Sequence, residues 1–375
     1  MSDLGGAAET DAVAELASFY RHLADTEFDG YCDLYAHLAR RLADDREVLE
    51  RVVTMAPATK VLPVLLFAAV HALVLGEPDL ELAACYRGDP GAPADAWPRF
   101  RSFLDERFDD LASLVERRTI QTNEVGRSAV LLPAFTNVHR AAGRPLTLIE
   151  LGPSAGLNLF FDRFAIRYSD GVVSGPPAST VQLACEVRGT LTPPRDGVAP
   201  PVRSRLGIDL APVDVTDPDA CRWLEACVWP QLTDRAGRLR AAIDLARPAP
   251  PDLRAGNALD LLGDVVERSD PDTVVCIYAT WVLAYFSHAE RAELGAALDR
   301  LGATRDLALV TAEYPSVAPF IDRPERAPEG GEGQAATLVG TSTWIDGRRR
   351  SSPVAWCHAH GMWIDWLDPA TSDHR

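Results

Sequence analysis

Residues 147–158, Thr-Leu-Ile-Glu-Leu-Gly-Pro-Ser-Ala-Gly-Leu-Asn, constrain the fold of this chain more than any other stretch. Leu146, Leu148, Ile149 and Leu151 form the apolar run that a strand buried on both faces requires. Gly152 and Gly156 then remove Cβ atoms where a backbone must bend sharply or approach a ligand closely. The pattern predicts a strand, a tight turn and the start of a helix. Amides at that helix start would point outward, and Glu150 would lie near the C-terminal edge of a sheet, where open α/β sheets bind ligands. A turn whose glycines serve packing alone is the competing reading, and the rest of the chain bears on the choice.

Downstream, extended and helical patterns alternate. Val181–Val187 reads as a strand, and the run from Arg205 to Val215 is a second one that reaches an acid at Asp209. Residues 219–246 have helical spacing, and a short extended piece at 253–260 ends in polar residues. Thr273–Thr280 is a buried strand followed by a helix at 289–301 with Ser287 as its cap, and Leu307–Glu313 is the next strand. Two strand-like runs, 336–345 and 354–360, are joined by Asp346-Gly347, a hairpin signal. The whole predicts an α/β sheet, mostly parallel, with helices on both faces and an antiparallel C-terminal hairpin.

The first 120 residues differ. Helical periodicity runs through 11–54 and 100–117, and residues 61–75 are apolar all round, as in the central helix of a bundle. We therefore expect a helical domain over 1–120, serving as lid and substrate-pocket wall, and an α/β domain over 121–375. Between them, residues 118–127 read Arg-Thr-Ile-Gln-Thr-Asn-Glu-Val-Gly-Arg. Thr122 or Asn123 could cap a helix from about 124 to 142. If that helix packs antiparallel to the strand at 146–151, then Asn123, Glu124 and Arg127 face the same cleft as the glycine turn. They are candidates for recognising a polar or acidic substrate.

Charge narrows the partners. The net charge of -17 disfavours duplex nucleic acid and anionic membranes, so a small-molecule substrate is expected. Lys60 is the only lysine and has no partner in view, which argues against Schiff-base chemistry. The seven cysteines are scattered without metal-finger spacing, and His358 with His360 lacks an identifiable third ligand, so no metal is expected. No basic segment followed by an apolar core opens the sequence, and no run of about 18 apolar residues follows, which predicts a cytoplasmic protein.

The succession of glycine turn, acid after a later strand and polar dipeptide after the next resembles the class I S-adenosylmethionine-dependent methyltransferase core. Together, Glu150-Leu-Gly-Pro-Ser-Ala-Gly-Leu-Asn, Gln121-Thr-Asn-Glu-Val-Gly-Arg, Gly207-Ile-Asp-Leu-Ala-Pro-Val-Asp, Trp229-Pro and His360-Gly-Met-Trp resemble a bacterial family catalogued as domain of unknown function 2332. The resemblance spans nearly the whole chain. It implies a Rossmann-like methyltransferase core and S-adenosylmethionine as cofactor. Glu150, Gly152, Ser154, Ala155, Gly156 and Asn158 would then surround the methionine end, Asp209 or Glu186 would hold the ribose, and Asn257 and Ala258 would flank the adenine.

Methyl transfer to oxygen or nitrogen asks the protein to position an acceptor and to take a proton. His360, Glu313 and Tyr278 are the candidates, each expected near a strand end, and His360 has the pKa range that suits a base at neutral pH. Two alternatives stand beside this. In one, the fold serves cofactor-free chemistry or ligand binding alone. In the other, Gly152-Pro-Ser-Ala-Gly156, which spells Gly-x-Ser-x-Gly, makes Ser154 a hydrolase nucleophile with an acid and His360 following in order.

Overall fold

The computed structural model describes residues 4–55, 62–92, 94–330 and 336–367; Lys60 lies outside them. The chain divides into two compact units, Met1–Thr122 with Asp217–Gly237, and Asn123–Thr216 with Arg238–Arg375.

Among the described residues the first unit begins with seven α-helices: α1 (Leu4–Leu23), α2 (Asp33–Asp44), α3 (Arg46–Val52), α4 (Leu62–Gly76), α5 (Glu81–Arg87), α6 (Trp97–Glu106) and α7 (Phe108–Arg117). Because α4 is apolar on every side, it can only be stable when surrounded. Its Phe67 is the hub: Tyr35 stacks on it at 4.5 Å, and Tyr20, Phe28 and Phe100 lie at 5.9, 5.8 and 5.9 Å. Aromatic pairs of this kind add about 1 kcal/mol each beyond their buried area. Among the described residues no single helix is long and apolar enough to cross a membrane.

The second unit starts with α8 (Ser128–Ala142) and β1 (Leu146–Leu151). A 3-10 turn, Leu157–Arg163, follows where the sequence predicts an α-helix; β2 (Ala165–Tyr168), β3 (Val173–Ser174), β4 (Gln182–Arg188) and β5 (Val202–Asp209) come next. The chain then leaves for the first unit with α9 (Pro218–Ala226) and returns along α10 (Thr233–Ala246). The single helix expected over 219–246 is thus two, parted around Trp229-Pro230, where a proline cannot donate to a continuing helix. The excursion packs with its own unit: Trp223 Nε1 donates to the Thr119 carbonyl at 2.9 Å, and Trp229 meets Phe28 at 4.9 Å. His71 Nδ1 bonds the Ala226 carbonyl at 3.1 Å, and burial lowers its pKa to about 4, so it is a neutral core residue.

The rest of the second unit is β6 (Asp252–Ala255), α11 (Ala258–Glu267), β7 (Val274–Thr280), α12 (His288–Gly302), β8 (Leu307–Glu313), β9 (Ala336–Ile345), β10 (Arg348–His358) and β11 (Trp363–Trp366). Ser287 and Glu290 form a full capping box at the start of α12. Among the described residues the eleven strands join one sheet in the order β3-β2-β4-β11-β10-β9-β8-β7-β1-β5-β6. Strands β6, β5, β1, β7 and β8 are parallel, while β9 and β10 form the antiparallel hairpin that Asp346-Gly347 predicts.

Alternation along β1 sends its side chains to two layers. Ile149 and Leu151 join the core under α11 and α12, with Leu262, Leu294 and Leu298. Glu150 points to the other face, where Phe135 of α8 lies 5.1 Å from Tyr278. The sheet order reverses at β1, with β5 and β6 on one side and β7 and β8 on the other. A crevice at such a switch point is where open α/β sheets take ligands.

Candidate active site at the carboxyl edge of the sheet

The turn after β1 is held by backbone and by one acid. The Gly152 amide donates to the Ile208 carbonyl at 2.9 Å, and Asp209 accepts the Ser154 amide at 2.8 Å and the Ala211 amide at 2.9 Å. Ser154 is left-handed with φ 54°, and its hydroxyl is buried with no hydrogen-bond partner among the described residues. Gly152 (φ 63°) and Gly156 (φ 68°) are glycines for packing as well as conformation. A Cβ on Gly152 would overlap Val282, and one on Gly156 would sit 2.9 Å from Pro251. The expected helix start is absent from this turn, since the 3-10 segment offers its Leu157 amide to Asn123 Oδ1 at 2.9 Å.

Beside the turn lie two buried acids and one arginine. Glu150 is 1 % exposed and accepts the Tyr278 hydroxyl at 2.8 Å. Burial pushes its carboxyl up to about 8, against the opposing pull of that hydrogen bond and of Arg127. Tyr278 is itself fully buried and well above the usual tyrosine range, so it is a donor to Glu150 and not an accessible base. Glu313, at the tip of β8, accepts the Val282 and Leu283 amides through Oε1 at 2.8 and 2.9 Å, while Oε2 is buried without a hydrogen-bond partner among the described residues. Burial raises it to about 7, again opposed by those amides and by Arg127. Two carboxyls raised toward neutrality therefore sit near the carboxyl ends of β1 and β8, with β7 between them.

Arg127 ties the strand tips together. Its Nε donates to the Ala359 carbonyl at 3.0 Å, and another guanidinium nitrogen reaches the Thr280 carbonyl at 3.2 Å. Trp281 lies under it at 5.9 Å, left-handed at φ 57° and edge-on to Tyr314 at 4.5 Å. A bulky side chain in that region stores strain, which clusters at functional sites.

Asn123, Glu124 and Arg127 do share the edge with the glycine turn, but each is engaged by protein. Glu124, and not Thr122 or Asn123, caps the first turn, a 3-10 turn at Val125–Arg127, by accepting the Gly126 amide at 3.0 Å. Its other oxygen lies 3.5 Å from Nδ1 of His360, which stands in the tight turn between β10 and β11. Asn158 is buried and accepts from Ser128 Oγ at 2.8 Å. Ala155 is fully buried. Asn257 caps α11 through Oδ1 on the Leu259 amide, with Ala258 buried behind it. Glu186 lies on β4, across five intervening strands from β1, and pairs with Arg188 at 2.8 Å. Asp209 alone of the two acids stands at the tip of a strand next to β1.

Sequence reasoning passes over Val282. Nothing local marks Val282, because its partners, Gly152 and Glu313, are distant in sequence. The Trp281 strain carries no sequence signal beyond its place after a buried strand. For the hydrolase reading, a nucleophile needs its base within hydrogen-bond reach. Among the described residues no histidine hydrogen-bonds Ser154, and His360 is set against Glu124 instead.

Fold and site together define an open, mostly parallel α/β core with a glycine-bearing turn at its switch point. The chain belongs to the family described as "Uncharacterized protein conserved in bacteria (DUF2332)", whose model matches residues 17–366. No curated protein matches it. Among solved structures, the plantazolicin methyltransferase BamL, in complex with a triazolic desmethylPZN analog and SAH, is similar at 10% identity and a TM-score of 0.23, covering 68% of this chain and 61% of that one. SCL7 of Oryza sativa is similar at 14% identity and a TM-score of 0.25, covering 83% of this chain and 65% of that one. The matches span less than two thirds of either structure's own length.

Proposed function

We propose that the protein is an S-adenosylmethionine-dependent methyltransferase acting on a small polar molecule. One juxtaposition carries the reading. At the switch point the turn 152–156, the half-buried Asp209 and the exposed cap Asn257 stand side by side, since the Gly256 amide donates to the Asp209 carbonyl at 2.9 Å. The residues present fit a nucleoside with a charged tail. Asp209 uses its oxygens for two amides and has further lone pairs for ribose hydroxyls; Asn257 offers an amide nitrogen to a base; the buried Ser154 hydroxyl has an unmet hydrogen bond at the turn.

Held by Asp209, Asn257 and the turn 152–156, the cofactor would supply an electrophilic sulfonium methyl group to an acceptor's lone pair, with the neutral thioether as leaving group. What remains for the chain is to hold the acceptor in line and to take its proton. His360, 44% exposed, is the titratable group at that edge suited to it, while the buried Glu313 holds the Val282 and Leu283 amides and Arg127 bonds the Ala359 and Thr280 carbonyls.

Calorimetric titration with S-adenosylmethionine and S-adenosylhomocysteine tests the reading. We expect saturable binding of both, weakened at least about tenfold by Asp209→Ala, the size expected when hydrogen bonds to a charged group are lost. No binding of either at millimolar concentration overturns it. Covalent labelling of Ser154 by a fluorophosphonate would replace it with the hydrolase.

A further inference from the structure

Glu124 and His360 are remote in sequence, and backbone packing brings them together. A Cβ on Gly126 would overlap the His360 carbonyl oxygen, and a Cβ on Gly361 (φ 75°) would overlap the Gly126 carbonyl oxygen. The two glycines therefore let main chain lie directly on main chain. Arg127 Nε on the Ala359 carbonyl clamps one side of the turn, and the His360 amide donates to His358 Nδ1 at 3.1 Å on the other.

This packing fixes a carboxylate beneath an imidazole. Glu124 is 2 % exposed and is held by its cap bond to Gly126, and its Oε2 lies within ion-pair distance of His360 Nδ1, 3.5 Å away, close enough for a small side-chain shift to make the hydrogen bond. The imidazole, by contrast, is 44% exposed. A buried acid at Nδ1 selects the neutral tautomer that carries its proton there and leaves the lone pair on Nε2; it also stabilises the imidazolium once a proton arrives.

We propose that Glu124 and His360 form a carboxylate–imidazole dyad in which Glu124 is the positioning residue and His360 takes the proton of the methyl acceptor. The assignment rests on the methyltransferase reading for its substrate and implies a class: a small molecule whose nucleophile is a hydroxyl or a protonated nitrogen. The O–H or N–H bond breaks as its pair becomes available to form the bond to carbon, the proton passes to His360 Nε2, and the Glu124 carboxylate balances the imidazolium. Other titratable or charged groups facing the imidazole include His358, with ring centroids 5.5 Å apart, and Arg127, bonded to the preceding carbonyl.

The test is a histidine-selective nitrogen NMR titration of the full chain without cofactor, with His360 assigned by its loss in His360→Gln. The expected result is a neutral His360 protonated on Nδ1, with a titration midpoint that falls by about one pH unit or more in Glu124→Gln, since loss of an adjacent opposite charge shifts a pKa by that order. Because Glu124→Gln also alters the cap on Gly126, the unmodified chain is a second, independent measurement: a neutral His360 protonated on Nε2 overturns the dyad by itself. A folded Glu124→Gln protein with an unchanged midpoint overturns it too. With no S-adenosylmethionine present, failure of the dyad and failure of cofactor binding are read separately.

Discussion

The two edges of the same sheet treat ionisable groups in opposite ways. At the amino edge, arginines meet aspartates near solvent: Arg144 pairs with Asp306, and Arg203, 69% exposed, pairs with Asp270 at 3.3 Å. Arg305 donates to main-chain carbonyls, including that of Ser269 at 2.8 Å. This edge also holds an open hollow of about 390 Å³ bounded by Thr147, Ser204, Arg205, Arg254 and Arg268. At the carboxyl edge Glu150, Glu313 and Glu124 are buried, two of them titrate near neutrality, and Ser154 and Trp281 are left-handed. A hollow lined by charges already neutralised in pairs has little to offer a ligand. Buried acids and strained backbone are unfavourable features that the surrounding fold must sustain, and they concentrate where chemistry is possible.

The largest test of that contrast is steric. Gly361→Ala forces a Cβ onto the Gly126 carbonyl in a left-handed position, and we expect a loss of about 3 kcal/mol or more in urea unfolding. If the loss is small, the carboxyl edge is loosely packed and the contrast fails.

The second test is pH. Glu150 and Glu313 have folded-state pKa values raised to about 8 and about 7, so the native state binds more protons than the unfolded chain. Their contribution is present in full below the unfolded carboxyl range and is lost as pH rises through the folded values. Between about pH 5 and 7 each adds a slope approaching about 1.4 kcal/mol per pH unit, falling with pH, and Glu150→Gln should remove one share of it. A slope unchanged in Glu150→Gln would show that this acid is ionised in the native state.

Smaller effects belong to the amino edge. Gly347→Ala meets no atom within 4 Å but keeps φ at 69°, so about 1 kcal/mol is expected from backbone strain alone. Arg203→Gln should change stability by less than about 0.5 kcal/mol, as exposed ion pairs do. A larger loss in thermal or urea unfolding would mean that this edge too carries organised charge.

What can be read in advance follows from the range of the interactions. The strand at 146–151, the Ser287 cap, the Asp346-Gly347 hairpin and the buried strands at 274–280 and 307–313 are legible because periodicity, caps and turn residues act within a few positions. The excursion of 217–237 is not, since a continuous helical spacing does not announce that its first half packs elsewhere. Residues 157–167 have helical spacing as well, yet they fold as a 3-10 turn and a strand, with the Leu157 amide taken by Asn123 and Ala165 paired to Gln182.

At the site the division is the same. Sequence marks Glu150, Gly152, Asp209, Glu313 and His360 as polar or small residues at the ends of apolar runs. Partnership is beyond it: that Val282 fills the space over Gly152, that Asp209 holds the Ser154 amide, and that Glu124 lies under His360.

By itself, then, the sequence determined the α/β core, its glycine turn and the residues that reach the strand tips, because burial and backbone conformation are imposed residue by residue. Tertiary structure alone decided which acids are buried, which amides they hold and which imidazole faces which carboxylate. Protonation depends on desolvation and on charges a few ångströms away, and those distances exist only once segments far apart in the chain have packed together.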